Sequence, residues 1–188
     1  MNYSEINTKA YLNECKHLLS IGKLPGWDEL PEIDLYMDQV IEIVNKYLSN
    51  LEIMSGDVSE TTRPMINNYV KLGMMPAPVR KKYGRLHLAY IIVICTLKQS
   101  LNMSTIQKIL PVNLPEEEVK YIYSSFVKNQ RASFDFVLAQ ADKYASPILD
   151  TENADSHRID DLLMQTAFSA NIFKCLTEKM VNLGEKSE

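Results

Sequence analysis

Thr62-Arg-Pro-Met-Ile-Asn-Asn-Tyr-Val-Lys-Leu-Gly-Met-Met-Pro-Ala-Pro78 contains both ends of a helix and the extended segment beyond it. Thr62 can cap the helix and Pro64 fits its first turn, where a missing N–H costs nothing. Ile66, Tyr69, Val70 and Leu72 supply a buried face, and Gly73 supplies the stop. Pro76 and Pro78 each disfavour α geometry in the preceding residue, so the chain must run extended beyond Met75. It then enters Arg80-Lys-Lys-Tyr-Gly-Arg85, whose glycine and clustered cations suit a tight excursion, a small wing hairpin.

Downstream, Ile91-Ile-Val-Ile94 favours a strand by propensity, whereas the length of Leu88–Gln99 and its lack of alternation favour a buried helix; a helix is predicted. Ser104-x-x-Gln107 reads as a capping box opening a short helix to about Leu110. Upstream, apolar spacing predicts helices over about 4–20 and 37–51, with Trp27 in the turn-rich connection as a packing anchor. After Pro115 three glutamates favour a helix N-terminus, and the pattern is re-phased around Asn129–Ser133. Ile159, Leu163, Thr166, Ala170, Phe173, Thr177 and Met180 then recur at heptad spacing in a last helix of about 28 residues. Six glycines in 188 residues and this periodicity favour an all-α protein. Three regions are expected: an N-terminal helical arm (1–33), a central domain (34–112) and a C-terminal helical region (113–188).

Charge is distributed in blocks. Residues 61–115 contain eight basic residues and no acid, residues 1–60 four basic and eleven acidic, and residues 116–188 eight basic and thirteen acidic. The net charge of −4 therefore conceals a cationic segment within an anionic chain. Such a footprint is expected where one surface meets phosphate.

Taken in order, the 62–78 stretch, the basic loop, the buried helix and the Ser-x-x-Gln helix resemble the DNA-binding region of the MerR family. That family's pattern reads roughly T-I-R-Y-Y-E-K-x-G-L-L-P-P, then a basic wing containing Y-R, then a helix pair with a stretch like G-F-S-L-E-E-I. Ile66, Tyr69, Lys71, Leu72, Gly73, Met74, Met75, Pro76, Ser104 and Ile106 stand where those features belong. Asp34-Leu-Tyr-Met-Asp-Gln-Val40 looks like the entry to its first helix. The whole chain is similar to an uncharacterised bacterial family of unknown function described as MerR-like.

The resemblance implies a winged helix-turn-helix regulator of transcription that binds double-stranded DNA. Thr62, Arg63, Asn67, Asn68 and Tyr69 would belong to its recognition helix, and Arg80, Lys81, Lys82, Tyr83 and Arg85 to its wing. Arg63, Asn67 and Asn68 would address bases while Lys81, Lys82 and Arg85 grip phosphates. Asn67 and Asn68 depart from the family's Arg and Tyr; they can read an adenine edge but cannot neutralise phosphate. Tyr69 reads as core ahead of contact, and Gly84 inserts a residue into the Y-R register. In the resembled family dimers form through a long C-terminal helix, so a homodimer through the 159–180 seam is expected, with intramolecular core as the alternative use of that seam.

Other classes find little support. No nucleophile motif, phosphate loop or metal-ligand spacing points to an enzyme, a cofactor or a metal; His17, His87 and His157 are isolated, and Asp160-Asp161 reads as a surface pair near a helix start. Cys15, Cys95 and Cys175 are expected to remain reduced core residues, and with no export signal or membrane span a cytoplasmic protein is expected. Tyr121, Tyr123, Phe126, Phe134 and Phe136 could line an effector pocket but are read as core, and no small-molecule effector is identified. The competing class is a helical protein-interaction module whose cationic surface docks an acidic protein.

Overall fold

The computed structural model describes residues 5–51, 60–149 and 156–184. In chain order these form α1 (Glu5–Ile21), a single 3-10 turn (Trp27–Glu29), β1 (Leu35–Tyr36), α2 (Met37–Ser49), α3 (Arg63–Lys71), β2 (Lys82–Tyr83), α4 (Arg85–Leu97), α5 (Met103–Ile109), α6 (Glu116–Leu149) and α7 (Ser156–Gly184). The chain is predominantly helical, and a small sheet pairs β1 with β2 antiparallel, Leu35 opposite Tyr83 and Tyr36 opposite Lys82.

Residues 22–131 form one compact unit, built on α4. Every side chain from His87 to Thr96 is buried, on all faces of the helix. A helix apolar all round can exist only where other elements enclose it, and α2 and β2 both lie against α4. The buried-helix expectation for this stretch holds, and the β-branched run that argued for a strand packs as helix core. Removing one of these side chains, Ile91→Ala for example, should cost about 2–5 kcal/mol.

Both ends of α3 follow from the 62–78 stretch. Thr62 stands at the N-cap position in extended backbone, but its side chain makes no capping hydrogen bond; proline occupies the first turn as expected. At the other end Gly73 has φ +66, the Met74 N–H donates to the Tyr69 carbonyl at 2.9 Å and the Gly73 N–H to that of Val70 at 3.0 Å. That is a Schellman stop, and left-handed φ at its C′ position is why glycine is needed there. Asn45 of α2 clamps Thr61 from both sides, accepting from its N–H at 2.8 Å and donating to its carbonyl at 3.3 Å. The entry to α3 is thereby fixed against α2.

Two expectations change. The cap of α5 is Asn102, whose side chain accepts from the Thr105 N–H at 2.9 Å, not Ser104. Gln107, the other half of the expected box, instead donates to the Leu72 carbonyl at 3.0 Å and ties α5 to the end of α3. The central region also extends in both directions: Trp27 is buried edge-on against Tyr123 with ring centroids 6.1 Å apart, and the Tyr123 hydroxyl donates to the Pro25 carbonyl at 2.8 Å. Part of the expected arm and the first half of α6 thus belong with 34–112.

The described residues of 1–21 and 132–188 are grouped as the second unit, and its boundary within α6 falls where the apolar pattern is re-phased. Within it Leu19, Phe134 and Ile159 are buried. Of the heptad seam, Ile159 is buried and Thr177 half-buried, while Leu163, Thr166, Ala170, Phe173 and Met180 are exposed. The Thr166 and Thr177 hydroxyls donate to carbonyls of their own helix, so neither is held by another element. Cys95 is buried as expected, but Cys15 is half-buried and Cys175 exposed.

Candidate nucleic-acid interface

The segment expected to form a wing is a two-residue hairpin. Val79 and Lys82 exchange both backbone hydrogen bonds, Val79 N–H to Lys82 carbonyl at 3.1 Å and Lys82 N–H to Val79 carbonyl at 2.9 Å. The residues between them, Arg80 and Lys81, have φ of 51° and 64°. Positive φ at both central positions is the arrangement of a type I′ turn, which normally takes Asn-Gly because side chains crowd the backbone there. Two long cations occupy it here, both exposed at the tip.

Behind the tip, Lys82 sits with its ammonium 5.5 Å from the centre of the exposed Tyr36 ring on the paired strand. α2 begins immediately after Tyr36, and its Asp38 accepts from the Arg63 guanidinium at the start of α3. Both partners of that ion pair are mostly exposed. The first turn of α2 therefore brings the start of α3 and the base of the wing to one region. Asn67 and Asn68 are exposed in the middle of α3, and Thr62 is exposed at its head.

Three residues expected at the interface are elsewhere. Tyr69 and Tyr83 are 3% exposed and cannot reach a ligand through their rings. The Tyr69 hydroxyl instead lies 3.7 Å from the Cys95 sulfur, which also lies 3.4 Å from the Thr61 hydroxyl, and burial pushes the phenol well above its ordinary pKa. Arg85 is only 15% exposed in its side chain: its guanidinium lies over the Trp27 ring at 5.8 Å and its Nη2 makes an ion pair with Glu32 at 3.0 Å. Arg85 is a structural cation clasped between the 27–32 segment and α4, not a phosphate grip. Its own position at the start of α4, within the core, explains why the basic hexapeptide does not present all its charges.

His87 is likewise structural. Its Nδ1 accepts from the Gly84 N–H at 3.0 Å, so the proton of the neutral ring is on Nε2, 3.4 Å from the Ala77 carbonyl. Burial holds its pKa below the ordinary histidine value. Glu29 at the 3-10 turn and Gln39 at α2 reach back in the same way, accepting from Gly26 N–H at 2.6 Å and Tyr36 N–H at 2.9 Å. Each satisfies a backbone donor that its helix start would leave unpaired.

Sequence alone does not show the acids that meet these bases. Glu32 and Asp38 flank β1, and β1 pairs with the wing, so the acidic residues on either side of that strand supply partners to Arg85 and Arg63. Of the aromatics considered as an effector pocket, Tyr123 and Phe134 are buried, Phe126 is half-buried, and Tyr121 and Phe136 are exposed. No group of metal-binding side chains occurs among the described residues, and no helix among them is long and apolar enough to cross a membrane.

The profile of a family described as a domain of unknown function (DUF1836) matches residues 25–126. The chain belongs to that family. The DUF1836 span lies inside the 22–131 unit and takes in Trp27, β1, α2, α3, the wing, α4, α5 and the start of α6, while α7 lies outside it. No curated protein and no solved structure matches the chain.

Proposed function

We propose that the DUF1836 unit is a MerR-like winged helix-turn-helix that binds double-stranded DNA and regulates transcription, in a cytoplasmic chain acting as a dimer. The observation that carries the reading is the hairpin tip: two exposed cations, Arg80 and Lys81, held in left-handed backbone where uncharged Asn-Gly would fit with less strain. Strained backbone that persists is a pointer to use of the side chains it displays. α3 would present Asn67 and Asn68 to base edges, with Arg63 beside them and Lys82 behind the tip.

With Arg85 committed to Glu32 and Trp27, two or three cations per protomer remain for phosphate. A dimer should then show a salt slope of roughly −4 to −5, at about −0.9 per phosphate. Retention of the full chain on random duplex DNA across salt concentrations tests this. Arg80→Glu with Lys81→Glu should abolish retention, whereas Asn67→Ala with Asn68→Ala should flatten sequence preference in a selection from random DNA while leaving the slope unchanged. Absence of retention at low salt sinks the proposal.

A second reading, docking of an acidic protein, draws on exposed Ile33, Tyr36 and Val79 around the same small sheet. An apolar centre rimmed by cations suits a protein partner. A surface that serves this purpose would lose its partner on Val79→Asp and Tyr36→Ala and would ignore duplex DNA.

A further inference from the structure

We infer that His87 is the positioning residue of the hairpin tip: its neutral ring fastens both ends of residues 77–84, and protonation of that ring releases them. The ring lies between the two ends. Its Nδ1 accepts from the Gly84 N–H at 3.0 Å on the outgoing side, and its Nε2 faces the Ala77 carbonyl at 3.4 Å on the incoming side. Arg80 and Lys81 stand midway between those ends, beyond the Val79–Lys82 pair.

The incoming end depends on this ring. Pro76 and Pro78 have no N–H to donate, and of residues 75–78 the Ala77 carbonyl alone takes part in a hydrogen bond among the described residues. The ring in turn is held in place. His87 and Tyr83 are both buried, and the Tyr83 ring meets the imidazole edge-on, with centroids 5.6 Å apart and planes at 80°. Rotating the imidazole to exchange its nitrogens would displace packed side chains.

Of the three forms a histidine can take, one fits. The neutral ring with its proton on Nε2 accepts at Nδ1 and donates at Nε2; the other tautomer reverses both roles, and the imidazolium has no acceptor for Gly84. Protonation therefore sets an Nδ1–H against the Gly84 N–H. A replacement acceptor is at hand in Asp34, whose Oδ1 lies 3.1 Å from where a Cβ on Gly84 would stand. Asp34 is the charged group that favours the imidazolium, but burial outweighs it, so the ring is neutral and both ends are fastened at neutral pH. Of the other charged groups lining the cleft beside His87, Arg85 is paired with Glu32, Lys82 faces the Tyr36 ring, and Glu116 is exposed.

The fastening is a property of the free chain, whereas its effect on DNA rests on the proposed function, and two readouts separate them. Nitrogen-15 NMR of the wild-type chain at pH 7.5 should show His87 as the Nε2–H tautomer. The amide signals of Ala77, Lys81 and Gly84 should move together with its titration below about pH 6.5, and in His87→Gln that movement should vanish. Retention on duplex DNA at fixed salt is the second readout. Acid makes any chain more cationic and should strengthen binding to phosphate, as in His87→Gln. In the wild type, retention should instead weaken about fivefold between pH 7.5 and 5, the equivalent of one ordinary hydrogen bond. The Nδ1–H tautomer, or tip amides that ignore the ring's titration, overturns the inference whether or not DNA is bound. Wild-type retention that rises with acid as steeply as that of His87→Gln overturns control of the tip. No retention at any pH removes the proposed function and leaves the NMR result to decide the inference.

Discussion

Replacing Arg80 and Lys81 by Asn-Gly should make the protein more stable and, on the proposed function, weaken its hold on DNA in one step. Both residues have left-handed φ, 51° and 64°, in a two-residue hairpin loop. For a residue with a Cβ that region costs roughly 1–2 kcal/mol. Asparagine tolerates it at less cost, and glycine has no Cβ to clash but surrenders about 0.5–1 kcal/mol more chain entropy on folding. The net gain is about 1–2 kcal/mol, which for the 110-residue unit spanning 22–131 raises the melting temperature by roughly 4–8 °C. The same change removes two cations, so the DNA salt slope should fall in magnitude by about 1.8 per protomer.

Two assays separate the backbone effect from the charge effect. Thermal unfolding measures the first; retention on duplex DNA over a salt series measures the second. Gln at both positions serves as the control, since it removes the charges and keeps both Cβ atoms in left-handed backbone. It should reproduce the lost slope with no rise in melting temperature. If Asn-Gly does not raise the melting temperature, the tip is not strained. If Asn-Gly retains the wild-type slope, the tip does not meet phosphate and the proposed function fails with it.

Three further outcomes are expected. Arg85→Met should lower stability by roughly 1–2 kcal/mol through lost contact with Trp27 and the Glu32 pair, while leaving any DNA salt slope unchanged; denaturant unfolding beside the retention assay checks both. His87 has a depressed pKa in the folded chain, so the unfolded chain takes up its proton first as pH falls. Its contribution should be fully present above about pH 6.5 and be lost as pH falls below it, and melting temperatures from pH 8 to 5 should show this slope reduced in His87→Gln. Tyr123→Phe leaves the Pro25 carbonyl without its buried donor and should cost about 1–2 kcal/mol, measured by denaturant unfolding.

Elements whose cause is local are legible in the sequence. The N-cap position, first-turn proline and glycine stop of α3 all fall within a dozen residues, and the prolines at 76 and 78 set the extended approach to the 79–82 hairpin. α4 is legible for a different reason: its apolar run is too long and too uniform for a half-buried strand, so it must be an enclosed helix. The re-phasing near 129–133 marks the division within α6 without revealing that Glu116–Leu149 is one continuous helix. Asn102 escapes a reading by pattern because Ser104 and Gln107 match a capping box by spacing alone, and nothing in spacing says that Leu72 competes for Gln107. α7 shows the same limit. Its heptad spacing predicts one buried seam, yet of that seam Ile159 alone is buried, while Leu163, Phe173 and Met180 are exposed.

Charge is the least legible feature, because residues are counted along the chain while their fields act across space. Residues 61–115 carry no acid, yet β1 lies against β2 and delivers Glu32 and Asp38 to the cationic segment from outside it. The two pairs differ in consequence. The Arg63–Asp38 pair is exposed on both sides, where such contacts contribute at most about 1 kcal/mol, so a phosphate arriving at α3 can displace the carboxylate. Arg85 is packed on Trp27 and paired with Glu32, its Nε and Nη2 buried without a hydrogen-bond partner, so releasing it would give up both contacts. The acids flanking β1 thus sort the cations: Arg63 is paired on the surface, Arg85 is paired and mostly buried, and the two at the hairpin tip are exposed with no carboxylate partner among the described residues. If the unit binds DNA, its grip is set by that sorting and is weaker than the sequence's eight uncompensated charges would suggest.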